Sequence, residues 1–71
     1  LEGQTAKAIE SFKTVLIYDQ DSAEVHLRLS AEYVKSGMLS EGLEHSEIAV
    51  KKNPKLVDAR LLLGGLYSTL K

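Results

Sequence analysis

A chain of 71 residues makes one domain at most, and its core is thin, because a domain of this size buries only about 60% of the surface its unfolded chain exposes. The hydrophobic fraction of 44% and charged fraction of 27% are those of a folded globular segment, which excludes disordered and fibrous classes. The absence of cysteine excludes a disulfide framework and a thiolate metal site, and nine basic against ten acidic residues exclude a general attraction for nucleic acid or anionic membrane.

From Thr5 to about Tyr18, apolar residues at Ala8, Ile9, Phe12, Val15 and Leu16 fall on one helical face and predict the first helix. Asp19-Gln20-Asp21-Ser22 interrupts it, and Asp21 with Glu24 has capping-box spacing for a second helix starting near Ala23. That helix carries Val25, Leu27, Leu29, Tyr33 and Val34 and stops at Ser36-Gly37, where glycine admits the left-handed conformation. Ser40 is the expected cap of the third helix, which runs to about Lys52 with Leu43, Ile48, Ala49 and Val50 on its apolar side. Lys51 and Lys52 suit the negative end of its dipole, and Pro54 disfavours helical geometry at Asn53. The fourth helix spans about Val57 to Leu70, with Ala59, Leu61, Leu62, Leu63, Leu66 and Leu70 making a broad apolar surface. No segment sustains strand alternation, so the fold class is all-α, and connections of about four residues make successive helices antiparallel neighbours.

The longest apolar run, Leu61 to Leu66, is far short of the ~20 residues a membrane span needs. The opening Leu1-Glu2-Gly3 has neither an initiator Met nor a signal-like apolar stretch, and the chain is expected to be an excerpt of a longer one, with compartment and targeting undetermined.

Shifting the chain by 34 residues pairs Gly3 with Gly37, Glu10 with Glu44, Leu27 with Leu61, Leu29 with Leu63 and Tyr33 with Tyr67. Similar residues fill the same register at Ile9 and Leu43, Leu16 and Val50, Asp19 and Asn53, Glu24 and Asp58, and Ser30 and Gly64. The elements His26-x2-Leu29-Ser30-x2-Tyr33 and Arg60-x2-Leu63-Gly64-x2-Tyr67, with Ala8-x3-Phe12, Gly42-x3-Ser46 and Pro54, resemble the tetratricopeptide repeat family over the whole chain. The resemblance implies antiparallel helix-turn-helix repeats forming a right-handed superhelical solenoid. It divides one segment, 1–71, into the second helix of one repeat (1–22), a complete repeat (23–56) and the first helix of the next (57–71). Leu-rich composition gives the segment the look of bacterial arrays of this family.

Ser30 and Gly64 fall where that pattern brings helices close together, with Tyr33 and Tyr67 filling adjacent space. The third helix departs from it. Gly42 costs about 1 kcal/mol of helix propensity relative to Ala, and Ser46 stands where the family has a ring, so this helix is expected to pack loosely. Gln20 stands one repeat before Pro54, which predicts a less rigid first turn.

The resemblance also implies that first helices of repeats line a concave groove binding a peptide or partner protein. Its groove positions correspond to Glu24, Leu27, Ala31, Val34, Lys35, Asp58, Leu61, Gly65, Ser68 and Thr69. A family subgroup that clamps chaperone tails uses Lys, Asn and Arg in the groove; Leu27, Ala31, Leu61 and Gly65 stand in those places and point to an apolar stripe instead. Gly65 would let a ligand backbone approach, or simply ease helix packing. Ile17 and Ile48 lie at places the family usually leaves polar and read either as isolated exposed residues or as an apolar contact with a partner or flanking repeat, while Leu62 and Leu66 are expected to be uncovered.

His26 and His45 are 19 residues apart on different helices with no third ligand at metal-site spacing, so no metal or cofactor is expected and both histidines read as structural. Tyr18, Tyr33 and Tyr67 read as core residues rather than a base-stacking platform. No nucleophile, base and orienter converge in any recognisable motif and no Gly-rich phosphate loop is present, so the chain is not expected to be an enzyme. The expected function is a protein-interaction scaffold, with a substrate-recruiting or regulatory arm of a larger enzyme as the alternative. Nucleic-acid binding is not expected, the basic cluster being only Lys51, Lys52 and Lys55. Solenoids need about three repeats with polar caps, so two open ends also predict marginal stability or self-association.

Overall fold

The computed structural model describes residues 2–70, which form four helices and no strand: α1 (Glu2–Tyr18), α2 (Ala23–Lys35), α3 (Leu39–Lys52) and α4 (Val57–Leu70). Leu1 and Lys71, the outer bounds of the segment expected from the sequence, lie outside the described residues. The helix α1 starts at Glu2 rather than Thr5, because the polar Gly3-Gln4 stretch continues the helix without adding to its apolar face. Among the described residues no helix is long and apolar enough to cross a membrane.

The turns hold these bounds by identifiable hydrogen bonds. At the start of α2 the cap is Ser22, whose Oγ accepts from the Val25 amide at 3.2 Å, and not Asp21. The Asp21 carboxylate instead accepts from Lys52 Nζ at 2.6 Å, an ion pair that holds the Asp21 carboxyl below the usual carboxylate range, chiefly through that hydrogen bond. This bridge links the first turn, expected to be the less rigid one, to the end of α3. The α2 terminus is a Schellman motif around Gly37 (φ 78°), with the Met38 amide bonded to Tyr33 O and the Gly37 amide to Val34 O. Ser40 does not cap α3; the cap lies two residues earlier, at Met38, whose carbonyl accepts from the Gly42 amide without any side-chain cap. At the end of α3, Asn53 Oδ1 accepts from the Lys55 amide in an Asx turn, and Leu56 O then accepts from Ala59 and Arg60 to open α4.

Consecutive helices pack against each other, and α2 also touches α4. They are antiparallel: His26 meets His45 while Ser30 meets Gly42 across α2 and α3, and Tyr67 meets Glu47 across α3 and α4. Leu29, Ser30, Ser46, Ala49 and Ala59 have no exposed surface, and Tyr33 and Leu66 are nearly as buried. The core is thus built mainly from small residues, with Leu29, Tyr33 and Leu66 supplying its bulk; burying a leucine fully contributes about 1.5–3 kcal/mol.

Here α3 differs from the loose helix expected. Gly42 and Ser46 are buried together with Ala49, and the Ser30 hydroxyl donates to Gly42 O at 2.6 Å. A Cβ placed on Gly42 would sit 2.8 Å from Val34 Cγ2 and 3.4 Å from Ser30 O, so the contact leaves no room for a methyl group. The Ser46 hydroxyl is satisfied within its own helix by Leu43 O at 2.9 Å. Leu66 is 4% exposed and Leu62 half-buried, both covered more than expected because α4 turns this side inward. Gly64, by contrast, has open space at its Cβ position, and Tyr67 is 51% exposed, so neither reproduces the close packing of Ser30 and Tyr33. Tyr18 is exposed rather than core.

Gly42→Ala should lower stability despite the better helix propensity of alanine, by about 1 kcal/mol net, because a stiff β-branched neighbour must move and overpacking costs about 1–3 kcal/mol. Adding Val34→Ala should recover part of that loss, so denaturant unfolding of the double variant should exceed the additive expectation; strict additivity would mean that the contact is not tight.

Candidate functional site

The expected groove residues occupy two helices that touch, α2 and α4. On α2, Glu24 and Lys35 are exposed, and Leu27, Ala31 and Val34 are half-buried. Glu24 pairs with Arg28 at 3.3 Å and Lys35 with Glu32 at 3.2 Å, giving the helix an edge of short-range ion pairs. Val34 is spent on packing, since its Cγ2 lies over Gly42 of α3. On α4, Asp58, Leu61, Gly65, Ser68 and Thr69 are all exposed, and Thr69 Oγ1 donates to its own helix at Gly65 O, 3.0 Å away.

Leu61 is the notable member: 69% of its surface is exposed, and Val57 one turn earlier is also exposed. The apolar character of α4 is therefore split. Ala59 and Leu66 serve the core, while Val57 and Leu61 remain on a different face beside Gly65, whose Cβ position is open. Ser68 joins Leu43, Tyr67 and Leu70 around a shallow depression between α3 and α4. At its rim the Tyr67 hydroxyl donates to Glu47 Oε2 at 2.5 Å, which pushes the phenol pKa above its ordinary value.

A larger concavity, not foreseen in the sequence, is an open cleft of about 700 Å³ between the first half of α1 and the end of α2. Thr5, Ala6 and Ile9 form one wall and Glu32, Lys35 and Met38 the other, so Lys35 is the one expected groove residue that reaches it. Of its α1 members Ile9 lies on the apolar face that the helical periodicity revealed, whereas Ala6 was not among those residues; that Met38 would close it depends on the Gly37 turn. Ile17 is 71% exposed, as expected of an isolated apolar residue, whereas Ile48 is half-buried against the fold.

The histidines come together. His26 Nδ1 and His45 Nδ1 are 3.0 Å apart, the rings stack with centroids 5.2 Å apart, and the Tyr33 ring stacks on the other histidine, His45, at 5.5 Å. The available signal was the Ser36-Gly37 turn, because an antiparallel hairpin places residues at similar distances from its turn, such as His26 and His45, close to one level. Among the described residues no three groups of metal-ligating type cluster. Comparison with protein-family models, with curated proteins and with solved structures gave no match.

The split face of α4 gives a direct expectation. Leu61→Glu should change stability by no more than about 0.5 kcal/mol, as surface substitutions do, while Leu66→Glu should abolish cooperative unfolding by burying an unpaired carboxylate. Equal losses in thermal melts of the two variants would show that Leu61 also belongs to the core.

Proposed function

We propose that the chain is part of a tetratricopeptide-like array, a right-handed superhelical solenoid, which binds a peptide or partner protein along the surface shared by α2 and α4. The observation that carries this reading is Leu61: a large apolar side chain held outside the core, beside the open backbone of Gly65, on a helix that touches α2, whose Leu27 is half-buried. A folded chain of this size gains nothing in stability from such exposure, and apolar residues next to accessible backbone suit a partner segment in an extended or helical conformation.

The 34-residue register supports the same reading. It equates α1 with α3 and α2 with α4, so that Leu27 and Leu61 become successive positions of one stripe, with Glu24 and Asp58 as their acidic neighbours. The partner's matching face would then carry apolar residues flanked by basic ones, since carboxylates at the rim favour cations and repel like charges.

Capture from a displayed peptide library, followed by titration of selected peptides against the chain and against a Leu27→Glu, Leu61→Glu double variant, tests the assignment. Circular dichroism must show that helicity is kept. The expected result is selection of apolar and basic peptides whose Kd rises at least about tenfold in the variant, the loss of an ordinary interface anchor. Unchanged affinity in a folded variant would move the site elsewhere, the cleft between α1 and α2 being the surface to mutate next.

A further inference from the structure

We propose that the His26–His45 pair is a proton-operated latch, which holds the α1–α2 turn and α3 to α2 while both rings are neutral and releases them when both rings become charged. This goes beyond the binding role proposed above and does not depend on what occupies the groove.

The hydrogen bonds define how many protons the closed pair accepts. His26 Nε2 lies 3.2 Å from Gln20 O, and a carbonyl can only accept, so His26 carries its proton on Nε2. In the neutral ring Nδ1 is then a lone-pair acceptor. His45 Nδ1, 3.0 Å away, must be the donor, which leaves the lone pair of the second ring on Nε2. The result is a directed chain from α3 through α2 to the carbonyl of the preceding turn, with every proton assigned.

One further proton can enter at His45 Nε2 without disturbing this chain, since Nδ1 of that ring still donates. A second has no acceptable position: with both rings doubly protonated, two N–H groups point at each other across 3.0 Å and two cations stack at 5.2 Å. The bond must break and the rings must separate. His26 is buried, so it cannot relieve the repulsion by rotating into solvent without opening the turn.

The surroundings oppose even the first proton. Burial lowers the His45 pKa below its ordinary value, and the neighbouring His26 and, more weakly, Lys13 of α1 act in the same direction, with Glu44 of α3 opposing them. From α2 the Tyr33 ring stacks on His45; among the described residues α4 contributes none of the charges acting on His45. The Asp21 carboxyl of this corner is held below the usual carboxylate range by its hydrogen bond from Lys52, outside the range in which histidines charge.

Because the folded pKa is depressed, the stabilisation is complete above the unfolded value of 6.5 and is lost as pH falls from there through the folded pKa. Below 6.5 the unfolded chain binds more protons than the folded one, so acid favours opening.

The experiment is thermal and denaturant unfolding of the 71-residue chain between pH 7.5 and 5.0, alongside His45→Gln, with NMR titration of both imidazoles in the folded chain. The unfolding constant of the unmodified chain should rise about tenfold per pH unit for each proton taken up once pH is below about 6.5. His45→Gln, whose amide can still donate to His26, should lose at least one proton's worth of that slope. In the NMR titration at least one ring should stay neutral well below pH 6.5, which supports the proposal even where the variant does not fold. Wild-type stability that is flat over this range, a variant with an unchanged slope, two independent ordinary titrations in the folded chain, or no helical signal at pH 7.5 would each overturn it.

Discussion

When the Ser30 hydroxyl reaches Gly42 O at 2.6 Å, the backbones of α2 and α3 are brought so close that a single methyl group on Gly42 would collide with Val34. That approach fixes the level of the two helices relative to each other, and most other contacts inherit it. One helical turn towards the N-terminus of α2 it sets His26 opposite His45; one turn the other way it lays Val34 over Gly42 and aligns the Tyr33 ring with His45. Small residues at the crossing therefore do what a larger core would do elsewhere: they specify register, and they leave the large side chains to pack beside the crossing rather than within it.

The same economy explains the surface. A two-layer packing of short helices has few fully enclosed positions, so α4 buries Ala59 and Leu66 and leaves Val57 and Leu61 outside. Apolar residues at helical spacing thus serve two different surfaces of one helix, one facing α3 and one facing away from it. The ion pairs Glu24 with Arg28 and Lys35 with Glu32 lie within single turns of α2 and do not cross to another helix. They decorate the edge without closing it, whereas Asp21 with Lys52 crosses from the first turn to α3 and ties two parts of the chain together.

Helix number, order and the bounds of α2 and α4 were legible because apolar spacing and turn residues agreed at Ser36-Gly37 and Asn53-Pro54. Caps were harder. Asp21, Ser22 and Ser40 all have capping chemistry, and the choice among them was settled by Lys52 drawing Asp21 away and by the Gly37 turn starting α3 two residues early. Propensity misjudged Gly42 and Ser46, since a residue that weakens an isolated helix can be what permits close packing between two. Of the groove residues, exposure of Glu24, Asp58 and Leu61 followed from the repeat register, but Val34 could not be separated from them until the position of α3 was known. The open positions of Gly64 and Tyr67 show where an internal register carries residue identity without carrying the environment.

Each helix here rests chiefly on its neighbours along the chain, and the one link that skips a helix, α2 to α4, still spans a short stretch of sequence. Such locality has a kinetic meaning. Closing loops of a few residues costs little chain entropy, so contacts between adjacent helices can form early and quickly, without the slow search that distant pairing imposes. The hairpin of α2 and α3, with the Schellman turn between them and the tight crossing at Ser30 and Gly42, has both the shortest closure and the closest packing. Short closure and close packing together favour this hairpin as the place where folding starts, with α1 and α4 condensing on it.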